Sequence, residues 1–393
     1  MSHLRTRHKS YIRHDSMALP APALRALAAA AAIAAAAAAA PLRLLTDSRA
    51  TCLDGTLSGF YFEPFSDPGE ANATKWVIFL QGGGECANAV SCAAAAKSEL
   101  GSSKYFAPSI DFDGGEYYAS ALPDNPFASW NRVDIPYCSQ DLFSGTREST
   151  SPETFGLYFS GHLIFESIMR TLVAQFGFGA ATEVILTGVS AGGIGAWINT
   201  NALVTSFAPA GCRVTVAPIA GMYFFAFPYD AINHTESTLV DFREPAWPGN
   251  VALWQSYIDP ACGAGLGARN YACMLSNYSF PYVRAKAFIT EAQTDQVQLE
   301  AHDWLPGPDH QDAPERAYMA AWSANMTQAL AQTGPAGAGF FNPACYIHGG
   351  FSPSSPLIGG ESYLAAFSRW YFGGETVRLA DSCGVTCNPT CPH

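Results

Sequence analysis

The chain has 393 residues, of which 49% are hydrophobic and 14% charged, with a formal net charge of -12. That is enough apolar material for one large core. Nucleic acid is excluded as a partner, because phosphate recognition needs Lys and Arg concentrated on one face and no basic stripe follows Arg43.

In chain order, residues 1–25 carry Arg5, Arg7, Lys9, Arg13 and Arg25, and an Ala-dominated run follows from Ala26 to Leu42. A basic stretch followed by an apolar, small-residue run predicts a secretory signal over residues 1–45, with Met17 as an alternative start. If it stays uncleaved, the run is about long enough to span a bilayer, and a signal anchor in the endomembrane lumen is the alternative. Only then would a membrane be a partner. Residues 46–393 show no repeat, low-complexity linker or charge block and predict a single domain.

Short apolar runs bounded by Gly, Pro or polar residues predict strands at Trp76–Leu80, Val133–Pro136, Glu183–Thr187, Arg213–Ile219 and Ala285–Thr290. Runs that are apolar on both faces fit the buried strands of a parallel sheet. Helices are predicted between and after them, over Gly161–Phe176, Gly192–Phe207 and Pro314–Thr333. The alternation gives an α/β fold class: a wound, mostly parallel sheet flanked by helices. Residues 223–267, rich in aromatics, Pro and Gly, predict an irregular, cap-like insertion.

All 11 cysteines lie between Cys52 and Cys391. Cys86 with Cys92, Cys262 with Cys273, and the trio Cys383, Cys387 and Cys391 sit at short loop spacings, without the nearby His or paired Cys-x-x-Cys pattern of zinc modules. Disulfides in an exported protein explain them better than a metal. The odd count leaves a thiol unpaired, with Cys212 and one of the C-terminal trio as candidates. Glycosylation acceptors at Asn72, Asn233, Asn277 and Asn325 fit the same compartment.

The segment Glu183-Val-Ile-Leu-Thr-Gly-Val-Ser-Ala-Gly-Gly-Ile-Gly-Ala-Trp197 reads as strand, sharp turn and helix, with Ser190 at the turn. A hydroxyl is a poor nucleophile until a base removes its proton, and such an elbow lifts Ser Oγ clear of the backbone to meet that base. A Gly-rich turn whose Ser merely caps the helix is the competing reading. In the order Ser, acid, His, the base is His302, His310 or His348. His348 is preferred because it follows the strand-like Ala344-Cys345-Tyr346-Ile347 and precedes Gly349-Gly350. Asp295, just beyond the apolar run Lys286–Thr290, is preferred as the acid over Asp259 and Asp303, which sit in a Pro-containing turn and a polar loop. Gln81-Gly82-Gly83-Gly84-Glu85 directly follows a predicted strand, so Gly83 and Gly84, with Ala191, are the expected oxyanion donors. A phosphate cradle is disfavoured, since no Gly-Lys-Ser/Thr sequence follows.

With these residues in place, the chain resembles the pectin acetylesterase and Notum family of secreted carboxylesterases. The likeness runs from about Thr51 to Phe351 through ordered blocks: Thr51–Gly55, Leu80–Cys86, Pro136–Asp141 with Ser144-Gly145, Gly188–Gly193, Thr294–Gln298 and Cys345–His348. It implies an α/β-hydrolase-like fold, the triad Ser190, Asp295 and His348, and oxyanion donors at Gly83, Gly84 and Ala191. It also implies Cys52–Cys138 and Cys86–Cys92 bridges and no metal or organic cofactor.

The departures bear on substrate. The family usually has an acidic residue where this chain has Gln81, a large aromatic at Glu85, Trp at Val297 and Cys-Gln at Gly349-Gly350. None removes a catalytic group, but each touches the acyl pocket or its rim. The expected function is removal of O-acetyl from an extracellular, pectin-type polysaccharide in the cell wall. A lipid deacylase acting on an acylated protein is the alternative within the family. A non-catalytic carbohydrate-binding protein is the alternative outside it.

Overall fold

In the computed structural model, the described residues are 39–67, 69–112, 117–229, 242–307, 312–333 and 337–392. Residues 1–38 of the predicted leader, Asn233 and His310 lie outside them. From Ala40 onward the described residues form one compact unit.

Its centre is a ten-stranded sheet in the order β12-β9-β8-β7-β6-β3-β5-β2-β1-β4. The strands are β1 (Ala40–Leu44), β2 (Gly59–Glu63), β3 (Lys75–Leu80), β4 (Ser109–Ile110), β5 (Asn131–Ile135), β6 (Glu183–Val189), β7 (Arg213–Ile219), β8 (Lys286–Thr290), β9 (Gly339–Asn342) and β12 (Arg378–Ala380). A separate two-stranded hairpin pairs β10 (Leu357–Ile358) with β11 (Glu361–Ser362). From β12 to β5 every pairing in the main sheet is parallel, and β2, β1 and β4 extend it antiparallel.

The period-2 geometry of a strand sends alternate side chains to opposite faces, and here both faces are buried. On β3, Trp76, Ile78 and Leu80 enter one core while Val77 and Phe79 enter the other. Helix Gly161–Gln175 packs on the first core and helix Tyr363–Gly373 on the second. The helix after the Ser motif, Ala191–Ala202, is buried along its whole length and continues as a π turn over Leu203–Phe207. The predicted cap contains helices Trp247–Trp254 and Pro260–Leu266 among its described residues.

The sheet is wider than expected. β1 lies inside the stretch assigned to the leader, yet it pairs with β2 through Leu42, Arg43 and Leu44. The Ala-rich run ahead of it has helical composition and gives no strand signal. β5 starts earlier than its apolar run because Arg132 is buried against Glu63 at 2.7 Å and Asp134 accepts the Gln81 amide at 2.9 Å.

Disulfides join Cys52–Cys138, Cys86–Cys92, Cys262–Cys273, Cys345–Cys391 and Cys383–Cys387, and Cys212 is free. Each member of the C-terminal trio is therefore paired. Among the acceptor Asn residues, Asn325 is exposed, Asn277 is half-buried, and Asn72 is half-buried with its amide donated to Ser129 Oγ at 2.8 Å.

Candidate active site

The Gly-rich loop, Ser190, Asp295 and His348 all follow C-terminal ends of parallel strands, from β3, β6, β8 and β9 respectively. This is where wound α/β sheets place their reactive groups.

Ser190 is held at φ 57° and ψ -125° between β6 and the helix Ala191–Ala202. A side chain other than Gly rarely takes this conformation, at a cost of roughly 1–3 kcal/mol. Its amide donates to the Ile219 carbonyl at 3.0 Å, anchoring the turn to β7. The flanking glycines are required by contact. A Cβ on Gly188 would strike the Gly192 carbonyl, and one on Gly192 would strike the Leu80 carbonyl. Ser190 is therefore the tip of a strained elbow rather than an ordinary helix cap, and its side chain makes no capping hydrogen bond.

The Gly-rich loop is pressed against this elbow. A Cβ on Gly82 would lie 2.8 Å from the Val189 carbonyl oxygen and 3.0 Å from Ser190 Cβ. Gln140, itself at φ 54°, donates its amide to the Gly83 carbonyl at 3.0 Å, which fixes the orientation of the loop. Among the described residues the amides of Gly83 and Gly84 donate to no backbone acceptor, so they are free to face a developing negative charge. The role of Gln140 was not assigned from sequence, although it sits in the Pro136–Asp141 block.

His348 Nδ1 lies 2.7 Å and 2.9 Å from the two Asp295 carboxylate oxygens, and Asp295 is fully buried. Asp295 also accepts the Gln298 amide at 2.9 Å. The loops that carry the pair are tied together, with Thr294 Oγ1 donating to the Cys345 carbonyl at 2.7 Å and Thr294 bridging Tyr346 in parallel register. Cys345, three positions before His348, is held by its disulfide to Cys391.

His348 Nε2 is buried and has no hydrogen-bond partner among the described residues. Ser190 and His348 line one cavity, but they share no hydrogen bond. Tyr223, from the segment after β7, lies against Ser190, and burial raises its phenol well above the usual value, with Asp295, Glu85 and Glu291 adding to the rise. The acid–base leg of the expected triad is thus assembled, while Ser190 and His348 are not hydrogen-bonded to each other. Such gaps are common where no substrate is bound.

The weaker candidates have other work. Asp259 caps the helix Pro260–Leu266 through the amides of Ala261 and Cys262, both at 3.0 Å. Asp303 accepts the Tyr318 hydroxyl at 2.8 Å. His162 stacks on Tyr257 and bonds Asn199 at 2.7 Å inside the core.

The cavity measures about 820 Å³ and runs from exposed Glu99 and Ala107 at the mouth to buried Tyr137, Tyr223, Glu85 and His302 inside. Leu100, Phe106, Ile110 and Val297 give part of it an apolar wall. His302, not chosen as the base, instead places Nε2 4.0 Å from Glu85 Oε1, both side chains being about 4% exposed or less. Gln81, where the resemblance implies an acidic residue, donates to Asp134 at the base of the loop. Gly350, after His348, has φ 71°, which favours glycine there. Among the described residues no group of three or more His, Cys, Asp or Glu could hold a metal ion.

With this geometry in view, comparison with known proteins gives a consistent result. A family model described as Pectinacetylesterase matches residues 33–392. Pectin acetylesterase 5 of Arabidopsis thaliana is 30% identical over 365 residues, covering 87% of this chain and 82% of that protein. Palmitoleoyl-protein carboxylesterase notum1 of Xenopus laevis is 26% identical over 377 residues, covering 89% and 74%. The structure of the Wnt deacylase Notum from Drosophila superposes with a TM-score of 0.78 at 23% identity, covering 90% of this chain and 100% of that one. That likeness establishes the α/β-hydrolase-like fold. The family match spans the whole of the described sheet, the elbow and both loops of the His–Asp pair, and the chain accordingly belongs to the pectinacetylesterase family of carboxylic ester hydrolases.

Proposed function

We propose that this chain removes O-acetyl groups from an extracellular, pectin-type polysaccharide through an acyl-enzyme on Ser190. The Ser190 hydroxyl turns from Tyr223 to His348, which takes its proton as Oγ bonds to the ester carbonyl carbon. Asp295 holds the imidazole in the required tautomer and balances its charge. The amides of Gly83, Gly84 and Ala191 receive the oxyanion. His348 then returns the proton to the sugar oxygen as it leaves, and a water repeats the sequence to release acetate and regenerate Ser190.

The observation that carries acetyl over a long chain is the Glu85–His302 pair at the inner end of the cavity. A lipid tail reaching that end would lie against a carboxyl group and an imidazole in place of an apolar wall, which is unfavourable. The resemblance places a large aromatic at Glu85, so this chain has polar lining where an apolar wall is expected. The apolar rim of Leu100, Phe106 and Ile110 supports a second reading, a lipid deacylase like the Notum relatives.

Rates on chromogenic esters of increasing acyl length, followed by acetate release from acetylated polysaccharides, test the proposal. A maximum at acetyl with release from pectin supports it, and a maximum at eight or more carbons overturns it. Export is part of the same reading, supported by the five disulfides, which persist in oxidising compartments. No helix among the described residues is long and apolar enough to cross a membrane.

A further inference from the structure

Glu291 is the first residue after β8, four positions ahead of Asp295 in the same turn. It is completely buried. Its backbone is pinned on both sides, the amide donating to the Phe341 carbonyl at 3.0 Å and the carbonyl accepting Asn342 Nδ2 at 2.7 Å. Of its carboxyl oxygens, Oε2 accepts the Met222 amide at 2.8 Å. Oε1 meets no N–H or O–H donor among the described residues. The side chain that faces this carboxyl as a hydrogen-bonding and charged neighbour, four residues on in the same buried turn, is Asp295.

Two carboxylates in contact in a dry site cannot both be ionised, because each raises the cost of charging the other. Asp295 already receives the Gln298 amide and lies against His348 Nδ1, whereas the Glu291 carboxyl has backbone donors alone, the Met222 amide at 2.8 Å and the neighbouring Ala292 backbone, and no side-chain cation among the described residues. The negative charge therefore belongs on Asp295 and the proton on Glu291 Oε1. An oxygen that has no donor is accounted for once it is itself the donor.

We propose that Glu291 is a positioning residue of the active site: as a neutral carboxylic acid it donates a hydrogen bond to Asp295 and fixes the carboxylate that orients His348. This rests on the reading of Ser190, Asp295 and His348 as the triad. Burial raises the Glu291 pKa well above that of an ordinary glutamate, and the neighbouring Asp295 charge adds to the rise. Ionisable groups facing this pair include Tyr223 from the segment after β7, Glu85 beside Tyr223, Tyr346 from the loop that carries His348, and His348 beyond Asp295. A neutral acid that serves as a hydrogen-bond donor beside an active site has precedent elsewhere.

The test compares Glu291→Gln with Glu291→Leu in the full chain, with Ser190→Ala run in parallel. Glutamine can still accept the Met222 amide and donate to Asp295, but it cannot ionise. Glu291→Leu is expected to lower kcat on an acetyl ester at least tenfold with little change in KM, and Glu291→Gln to recover most of that loss. The alkaline limb of the wild-type kcat profile should move to higher pH in Glu291→Gln. Infrared difference spectra at neutral pH should show a protonated-carboxyl stretch in the wild type that Glu291→Gln lacks. This last readout needs no turnover, so it holds even if a variant is inactive. Absence of that band, or equal loss of kcat in the Gln and Leu variants, overturns the proposal. Full activity in Ser190→Ala would overturn the triad reading instead, and the infrared band would still report on Glu291.

Discussion

Replacing Glu85 by leucine is expected to change which acyl chains the enzyme accepts. The Glu85 side chain is 4% exposed and stands 4.0 Å from His302 Nε2 inside the cavity that Ser190 lines. In the wild type, an alkyl chain reaching this wall meets polar atoms it cannot pair with and excludes what water remains there, a disadvantage of roughly 1 kcal/mol. In Glu85→Leu the wall is apolar, and each methylene buried against it gains about 0.8 kcal/mol. Two methylenes and about 1 kcal/mol of relieved desolvation together give about 2.6 kcal/mol, or roughly 80-fold in relative kcat/KM. The assay is kcat/KM for p-nitrophenyl acetate, butyrate, hexanoate and octanoate, with thermal melting as a check on folding. The octanoate-to-acetate ratio should rise toward that figure in Glu85→Leu and by a smaller factor in Glu85→Gln, which removes charge but keeps shape. If acetate hydrolysis persists and the ratio stays within about threefold in both variants, Glu85 does not face the acyl chain and the argument for a compact acyl group fails.

Asp141, fully buried next to Gln140, is pushed up to about 6, chiefly by burial, from an ordinary carboxylate value of 3.8. Because the folded value is the higher one, its stabilising contribution is complete below about pH 4 and is lost as pH rises through 6, roughly 3 kcal/mol in all. Urea melts at pH 4 and 7 should show the wild type losing that much more than Asp141→Asn over the interval; parallel profiles would remove Asp141 as the source. Removing the Cys345–Cys391 bridge, 46 residues apart, should lower stability by about 4 kcal/mol on loop-closure grounds. Since Cys345 also receives the Thr294 hydroxyl, Cys391→Ser should lower kcat as well, measured on acetate ester below its melting temperature. Unchanged kcat would show that the His348 loop holds its place without the bridge.

The parallel centre of the sheet was readable because its strands are apolar on both faces, and the elbow because a strand, a Gly-flanked Ser and a helix leave little alternative. The edges were not. β1 and β12 are short and partly exposed, and β5 begins on Asn131 and Arg132, whose polarity conceals burial satisfied by distant partners. His348 and Asp295 could be reached by elimination along the chain. Tyr223 and Glu291 could not, because their place in the site depends on contacts between segments far apart, such as the Met222 amide meeting Glu291 across 69 residues. A single Tyr or Glu has no local pattern that signals such a contact. The C-terminal pairings illustrate the same limit: short spacing grouped Cys383, Cys387 and Cys391 without pairing them, whereas Cys383 is bonded to Cys387 and Cys391 to Cys345 across the fold.

The central claim is that Ser190 is the nucleophile. The most direct measurement is kcat/KM of Ser190→Ala on a small acetyl ester beside the wild type, with melting temperatures matched. The account predicts a loss of about a thousandfold or more, since the oxyanion loop and the His348–Asp295 pair remain but have no nucleophile to act on. A variant that melts like the wild type and hydrolyses the ester at the wild-type rate would contradict it.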